Sequence, residues 1–319
     1  MSADSRIADA VIIGAGPAGA ALAAVLARHG FEVLVLERNR LDDPSANRRV
    51  LRGEWIAPWG VEQLLALGLY STLSTKGQII ASHVRCEDGG NETLDLAGLI
   101  ANVPGPLGIE YDRLCAALRE QASRAGAQVI DGFRLTKVSL GPPSTVTFSK
   151  GGCESTVAAR VIVGADGRAS ATRKKLSIPV RTAHLHHYVC GVLLDDLPAW
   201  QEDREVHVIG DTASFLVSGV GRGRFRVYLY FDPETFRAAG LQRLDDLCHR
   251  TLVSAEEAGV NSLADCRWVG PCLSMPNAAS WVEVPCRHPL PCLLRLPVPA
   301  LLLRQDRRPG SSRSCAPAR

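Results

Sequence analysis

The chain has 319 residues, 46% hydrophobic and 22% charged, a balance that fits a soluble globular protein with one elaborated or two compact domains. Its formal charge of +3 is lopsided: residues 286–319 carry seven arginines against the single acid Asp306, so the body stands at −3, which argues against a nucleic-acid surface. The ten cysteines include no C-x-x-C spacing, so neither a zinc ribbon nor a thioredoxin-like pair is indicated, and free thiols in a reducing compartment are expected.

No charged-then-apolar leader precedes the first strand, which implies a cytoplasmic protein. Ala10 to Ile13 is a β-branched-rich run of the kind found in buried parallel strands. Gly14-Ala15-Gly16-Pro17-Ala18-Gly19 follows at once and matches G-x-G-x-x-G. Gly14 permits the tight turn, Gly16 lets backbone amides approach a pyrophosphate, and Gly19 lets the helix pack closely on the sheet. Pro17 suits the first helical turn, and Gly30 is a C-terminal cap for the helix that ends near His29. Phe31 to Leu36 is the next strand. Glu37 at its end, followed by Arg38, stands where an acid accepts hydrogen bonds from a dinucleotide ribose. A glutamate there disfavours a 2′-phosphate.

Further along, Arg52-Gly53-Glu54-Trp55 precedes a short helix from Val61 to Leu67, and Tyr111-Asp112-Arg113-Leu114 opens a helix running to Gly126. Leu114, Leu118 and Ala122 recur on one face of that helix. Arg160 to Gly164 is an apolar strand ending at Ala165-Asp166-Gly167-Arg168, a glycine turn of the type that binds ligands at strand ends. Together these residues resemble the FAD-dependent monooxygenases of the p-hydroxybenzoate hydroxylase type, over most of residues 7–285. The resemblance implies an α/β fold: a Rossmann-like FAD-binding domain with a parallel sheet, plus a mostly antiparallel β substrate domain. The implied division assigns 1–79 and 98–180 to the first, 80–97 and 181–280 to the second, and 281–319 to an irregular tail.

It also implies a set of site residues. Gly14, Gly16, Pro17, Ala18, Gly19, Glu37 and Arg38 would hold the adenine dinucleotide, and Arg113 would lie against the flavin or its phosphates. Arg52, with Arg49 as the alternative, would lie where flavin and nicotinamide meet. Asp166 and Gly167 would lie near both FAD and the pyridine nucleotide. NAD(P)H is the implied co-substrate, a small organic molecule the substrate, and a flavin hydroperoxide the oxygen donor. A related flavin reductase or halogenase stands as the alternative, as does an inactive truncated relative that binds FAD weakly.

No second G-x-G-x-x-G occurs, and Gly219-Val220-Gly221-Arg222-Gly223 reads as a hairpin turn. Phe225, Val227, Leu229 and Phe231 alternate with Arg226, Tyr228 and Tyr230. The second set either lines a substrate pocket or forms the outer face of a sheet. His184, His186 and Cys190 would share a strand face, but spread along it too far for one tetrahedral site, so no metal is expected. Leu241, Leu244, Leu247 and Leu252 mark a packing helix. The resembling family has a later Gly-Asp motif before a glycine-rich helix. Gly210-Asp211 falls too early for it, and the sequence loses all periodicity after Pro285, as an altered reading frame or a disordered tail would. Leu290 to Leu303 is too short to span a bilayer.

Overall fold

The computed structural model describes residues 7–43, 54–87, 90–195, 197, 200–209, 214–240, 243–257, 263 and 266–286. Arg49, Arg52, Gly210-Asp211 and all of the tail after Cys286 lie outside them.

Strand β1 (Ala8–Ile13) leads through the glycine turn into helix α1 (Pro17–Arg28) and back to β2 (Val33–Leu36), which pairs parallel to β1. Every residue of β2 is buried, as a parallel strand covered on both faces requires. After β3 (Trp55–Ile56), α2 (Pro58–Ala66), α3 (Tyr70–Ser74) and β4 (Gln78–Ile79), the chain leaves this layer for β5 (Ser82–Glu87) and β6 (Gly90–Asp95). It returns with β7 (Leu107–Gly108) and α4 (Tyr111–Arg124), then adds β8 (Gln128–Ile130), β9 (Arg134–Ser139), β10 (Ser144–Lys150) and β11 (Cys153–Gly164). The resulting six-stranded sheet has the order β8-β2-β1-β11-β10-β9. Its β8, β2, β1 and β11 run parallel, and β9 and β10 fold back antiparallel as a ribbon on β11.

Helices α1 and α4 lie together on one face of that sheet. Alanines at 20, 23, 24 and 27 keep α1 thin enough for Leu114, Ala117 and Leu118 of α4 to join the same core. The other face closes over Val11, Ile13, Leu34, Leu36, Phe133 and Phe148, the two rings meeting edge to face at 6.0 Å.

A short helix α5 (Ala171–Lys175) and β12 (Arg181–Thr182) lead into β13 (His187–Asp195), β14 (Arg204–Ile209), β15 (Ser214–Gly221) and β16 (Arg224–Phe231). The expected hairpin joins β15 to β16, with Arg222 at φ 66° and Gly223 at φ 68°, the left-handed pair of a primed turn. Helices α6 (Pro233–Ala239) and α7 (Leu244–Glu257) follow, then β17 (Arg267–Trp268), β18 (Leu273–Asn277) and β19 (Ser280–Trp281). The large sheet has the order β17-β13-β16-β15-β14-β5-β6, with β18 also on β13. All its pairings are antiparallel except β14 with β5. Phe225, Val227, Leu229 and Phe231 face a buried layer that contains Phe236 of α6 and Leu244 of α7, so the alternation in β16 points its apolar half toward helices. Among the described residues no helix is long and apolar enough to cross a membrane.

Two glycine substitutions separate close packing from backbone conformation. A Cβ on Gly19 would fall 2.0 Å from the Gly14 carbonyl oxygen, whereas one on Gly30 (φ 83°) would meet nothing within 4 Å. Gly19→Ala is therefore expected to cost about 3 kcal/mol or more, and Gly30→Ala about 1 kcal/mol. Urea unfolding of the two variants checks the order.

Candidate functional site

The site grows from the end of β1. Gly14 sits at φ 106°, and a Cβ there would meet the Ala165 carbonyl oxygen at 2.4 Å and the Asp166 Cα at 2.9 Å. The two glycine turns predicted separately, after β1 and after β11, thus touch through their backbones, because β1 and β11 are parallel neighbours that end at the same level. The Ala165 amide donates to the Ile13 carbonyl at 2.7 Å and the Gly14 amide to the Leu36 carbonyl at 2.7 Å, so three strand ends are pinned together.

Gly16 is the N-cap of α1 and offers no side chain to its amides, and Pro17 occupies the first turn without a donor. A Cβ on Gly16 would meet only the Tyr111 hydroxyl, at 3.5 Å. The helix start therefore presents uncapped amides and the positive end of its dipole to open space beside α4, the arrangement that suits a phosphate. Ala18 is exposed at that end and Gly19 is buried against the strand.

Glu37 closes the turn. Its Oε2 accepts from the Ala15 amide at 2.7 Å and its Oε1 from the Asn39 amide at 2.9 Å. The carboxylate that was expected to meet a ribose also holds the glycine turn, and each oxygen keeps a second lone pair. Arg38, next in the chain, is exposed. Asp166 spends its carboxylate locally: one oxygen accepts from the Ser170 hydroxyl, the other from the Thr172 amide at 2.9 Å and the Thr172 hydroxyl at 3.1 Å. It thus ties the loop before α5, and Gly167 (φ 80°) lies open beyond it.

Arg113 stands one turn into α4. Its Nη1 is buried with no hydrogen-bond partner among the described residues. Burial, and then the neighbouring Arg222, pull its pKa below the usual guanidinium value. A partly buried cation with an unmet donor beside an uncapped helix start fits an anionic group. These features, together with the space at Gly16, fit a dinucleotide whose pyrophosphate lies across the α1 N-terminus.

Sequence reading missed what positions α4. Glu54, 5% exposed, accepts from Arg226 Nη2 at 2.9 Å and from Arg226 Nε through its two oxygens. Its Oε1 also accepts from the Tyr111 amide at 3.2 Å, and its own amide donates to the Tyr228 hydroxyl at 3.2 Å. Burial, with Glu54 adding, pushes the Tyr228 phenol well above its ordinary value, so it stays protonated. Beside it the buried Glu110 faces Arg224 at 3.4 Å. Burial raises its pKa, the nearby Asp112 adds to that, and Arg224 opposes it. Arg226 and Tyr228 are therefore not an outer sheet face. They turn inward because Glu54 supplies the countercharge, and the polar alternation in β16 was the one signal that marked them.

Tyr230 continues that inward face. It meets His187 at 5.6 Å and His207 at 6.2 Å between ring centroids, and His207 in turn meets His83 at 6.0 Å. His83 Nδ1 bonds to Glu205 Oε1 at 2.7 Å. Burial, with Glu205 nearby, holds the Tyr230 phenol up at about 12. His186, weighed as a metal ligand, contacts His187 Nδ1 to Nδ1 at 2.8 Å, and His187 Nε2 meets Asn277 Nδ2 at 2.9 Å.

Two measurements follow from this wall. Arg226→Met strands the Glu54 carboxylate and should cost about 3–5 kcal/mol, while adding Glu54→Leu should recover most of the loss. A urea double-mutant cycle reads both values. Burial, then His83 and Arg85, hold His207 down to about 4 against an ordinary 6.5. The unfolded chain therefore takes up the proton first, and stability present above pH 6.5 should drain away as pH falls toward 4. The loss should be about 1–2 kcal/mol after allowance for solvent screening. Urea midpoints across that window should show a smaller slope for His207→Gln.

Residues 7–249 match the family model described as FAD binding domain. A 6-methylpretetramide 4-monooxygenase from Streptomyces rimosus is 31% identical over 184 residues, 56% of this chain and 42% of that protein. Among solved structures, the flavin-dependent halogenase CmlS superposes with a TM-score of 0.72 at 19% identity, covering 88% of this chain and 51% of that one. Aklavinone-11 hydroxylase, in a ternary complex with FAD and aklavinone, superposes with a TM-score of 0.67 at 22% identity over 88% of this chain and 56% of its own. The chain thus spans about half the length of each of these three proteins.

Proposed function

The chain belongs to the FAD binding domain family, and from that premise we propose that it is the flavin-holding part of an NAD(P)H-dependent monooxygenase acting on an aromatic or other small organic molecule. The observation that carries this reading is the junction of the two glycine turns beside an uncapped helix start and the buried Arg113 Nη1, which has no partner among the described residues.

Gly14, Gly16, Pro17, Ala18 and Gly19 form the pyrophosphate cradle, with α1 amides as donors. Glu37 accepts from the adenine-side ribose with the lone pairs left over from Ala15 and Asn39, and Arg38 flanks it. Arg113 meets the flavin side of the dinucleotide, and Asp166 and Gly167 border it from β11. Arg52, outside the described residues, is assigned to the nicotinamide side by the family resemblance alone. FAD, when bound, supplies the electron transfer between NAD(P)H and oxygen, and the side chains need only bind, orient and exclude water.

The division into a cofactor half (1–79 and 98–180) and a substrate half (80–97 and 181–280) goes with this reading. The protonated Tyr230 and the His207–His187 group beside it make the substrate wall, where a neutral phenol donates to a substrate oxygen without adding charge. A cysteine pattern without a disulfide framework supports action in a reducing cytoplasm.

The decisive variant is Gly16→Val. The space at Gly16 leaves the fold intact, while a side chain there fills the pyrophosphate cradle. The variant should keep the wild-type far-UV circular dichroism yet bind added FAD at least about tenfold more weakly, a loss of about 1.4 kcal/mol. Unchanged flavin affinity would sink the cradle assignment. In turnover with NADPH or NADH, oxygen and a panel of phenols, hydroxylated product is expected. Halide incorporation instead would favour the halogenase reading that the CmlS superposition raises.

A further inference from the structure

Behind the large sheet, away from the glycine turns, three cysteines from distant parts of the chain converge. Cys190 comes from β13, Cys248 from α7, and Cys272 immediately precedes β18. Their sulfurs all lie within 4.8 Å of one another. Cys248 Sγ and Cys272 Sγ stand 2.8 Å apart. The group lies in the apolar layer formed by Val192, Phe236, Leu244 and Leu252. Cys190 and Cys248 are fully enclosed, whereas Cys272 keeps 7% of its surface exposed. The Cys272 amide is held by Asp245 Oδ1 at 2.9 Å, which fixes it against the helix that carries Cys248.

An apolar layer penalises charge, so a thiolate-rich metal centre is costly here, while a disulfide is neutral. Of the three, Cys272 alone keeps any exposed surface, so a small oxidant meets the group there first. We propose that Cys248 and Cys272 are an oxidisable pair that hydrogen peroxide closes to a disulfide, with Cys190 as the adjoining third sulfur. The Cys272 sulfur attacks one peroxide oxygen, the O–O bond breaks, and the departing hydroxide takes the Cys272 proton, so a sulfenic acid and water form. The Cys248 sulfur then attacks Cys272, the S–O bond breaks, and the hydroxyl leaves as water with the Cys248 proton. The two sulfurs give up two electrons, peroxide accepts them, and two thiols plus one peroxide become one disulfide plus two waters. The new bond would tie α7 to the start of β18. This inference does not depend on the cofactor assignment.

The test uses the full 319-residue chain, fully reduced and then exposed to hydrogen peroxide. Remaining thiols are alkylated in denaturant, and the digest is mapped by mass spectrometry. The expected result is a dithiothreitol-sensitive peptide pair joining Cys248 to Cys272, two fewer alkylated thiols and a raised urea midpoint. Cys272→Ser should abolish the link, and the exposed-site variant Cys153→Ser should leave it unchanged. Cys190→Ser should keep the same link, and its loss there would overturn the assignment of the pair. Should a variant fail to fold, the peptide map of the wild-type chain decides alone. A principal link through Cys190, oxidation confined to Cys153, or a tightly held zinc ion that blocks all linkage would each overturn the proposal.

Discussion

A carboxylate enclosed between sheets is expensive unless a cation meets it in good geometry, and Glu54 meets Arg226 through both oxygens. That pair is more than a local balance of charge. Through Tyr111 it holds the first turn of α4, and through Tyr228 and β16 it holds the large sheet. The start of α4 stands beside Gly16 with this anchor tied to its first turn and the core it shares with α1 behind it, so the space at the α1 N-terminus borders an ion pair well separated from the glycine motif in sequence.

Around that anchor, the site itself is mostly backbone. Gly14 has no room for a Cβ because Ala165 and Asp166 occupy it, and Gly19 has none because of Gly14. Gly16 differs in kind, since its missing side chain leaves space that the protein does not fill. Close approach explains two glycines and an open cradle the third. The chain belongs to the FAD binding domain family, and FAD is the occupant we propose for that cradle.

The large sheet divides its chemistry by face. One side packs Phe225, Val227, Leu229 and Phe231 against α6 and α7 and encloses the three sulfurs. The other presents Arg226, Tyr228, Tyr230 and His207: burial displaces the tyrosines upward and the histidine downward, while Glu54 holds the Arg226 guanidinium up against its burial. Alternation along a strand makes this separation possible, because neighbouring residues point to opposite faces.

The strand–turn–helix–strand unit, Glu37, the α4 start and the β15–β16 hairpin were all legible from residue order, because each rests on local rules: glycine geometry, apolar period and turn residues. The apolar face of β16 was legible for the same reason. The direction of Arg226 and Tyr228 was not, since it depends on Glu54, some 170 positions earlier in the chain. The contact between the two glycine turns needed the parallel pairing of β1 with β11, and the meeting of Cys190, Cys248 and Cys272 needed α7 folded behind the sheet. Sequence alone determined the elements and the chemistry each one carries. Tertiary structure decided which charges are paired, which donor is left over and which sulfurs touch, because burial and countercharge are properties of neighbours in space.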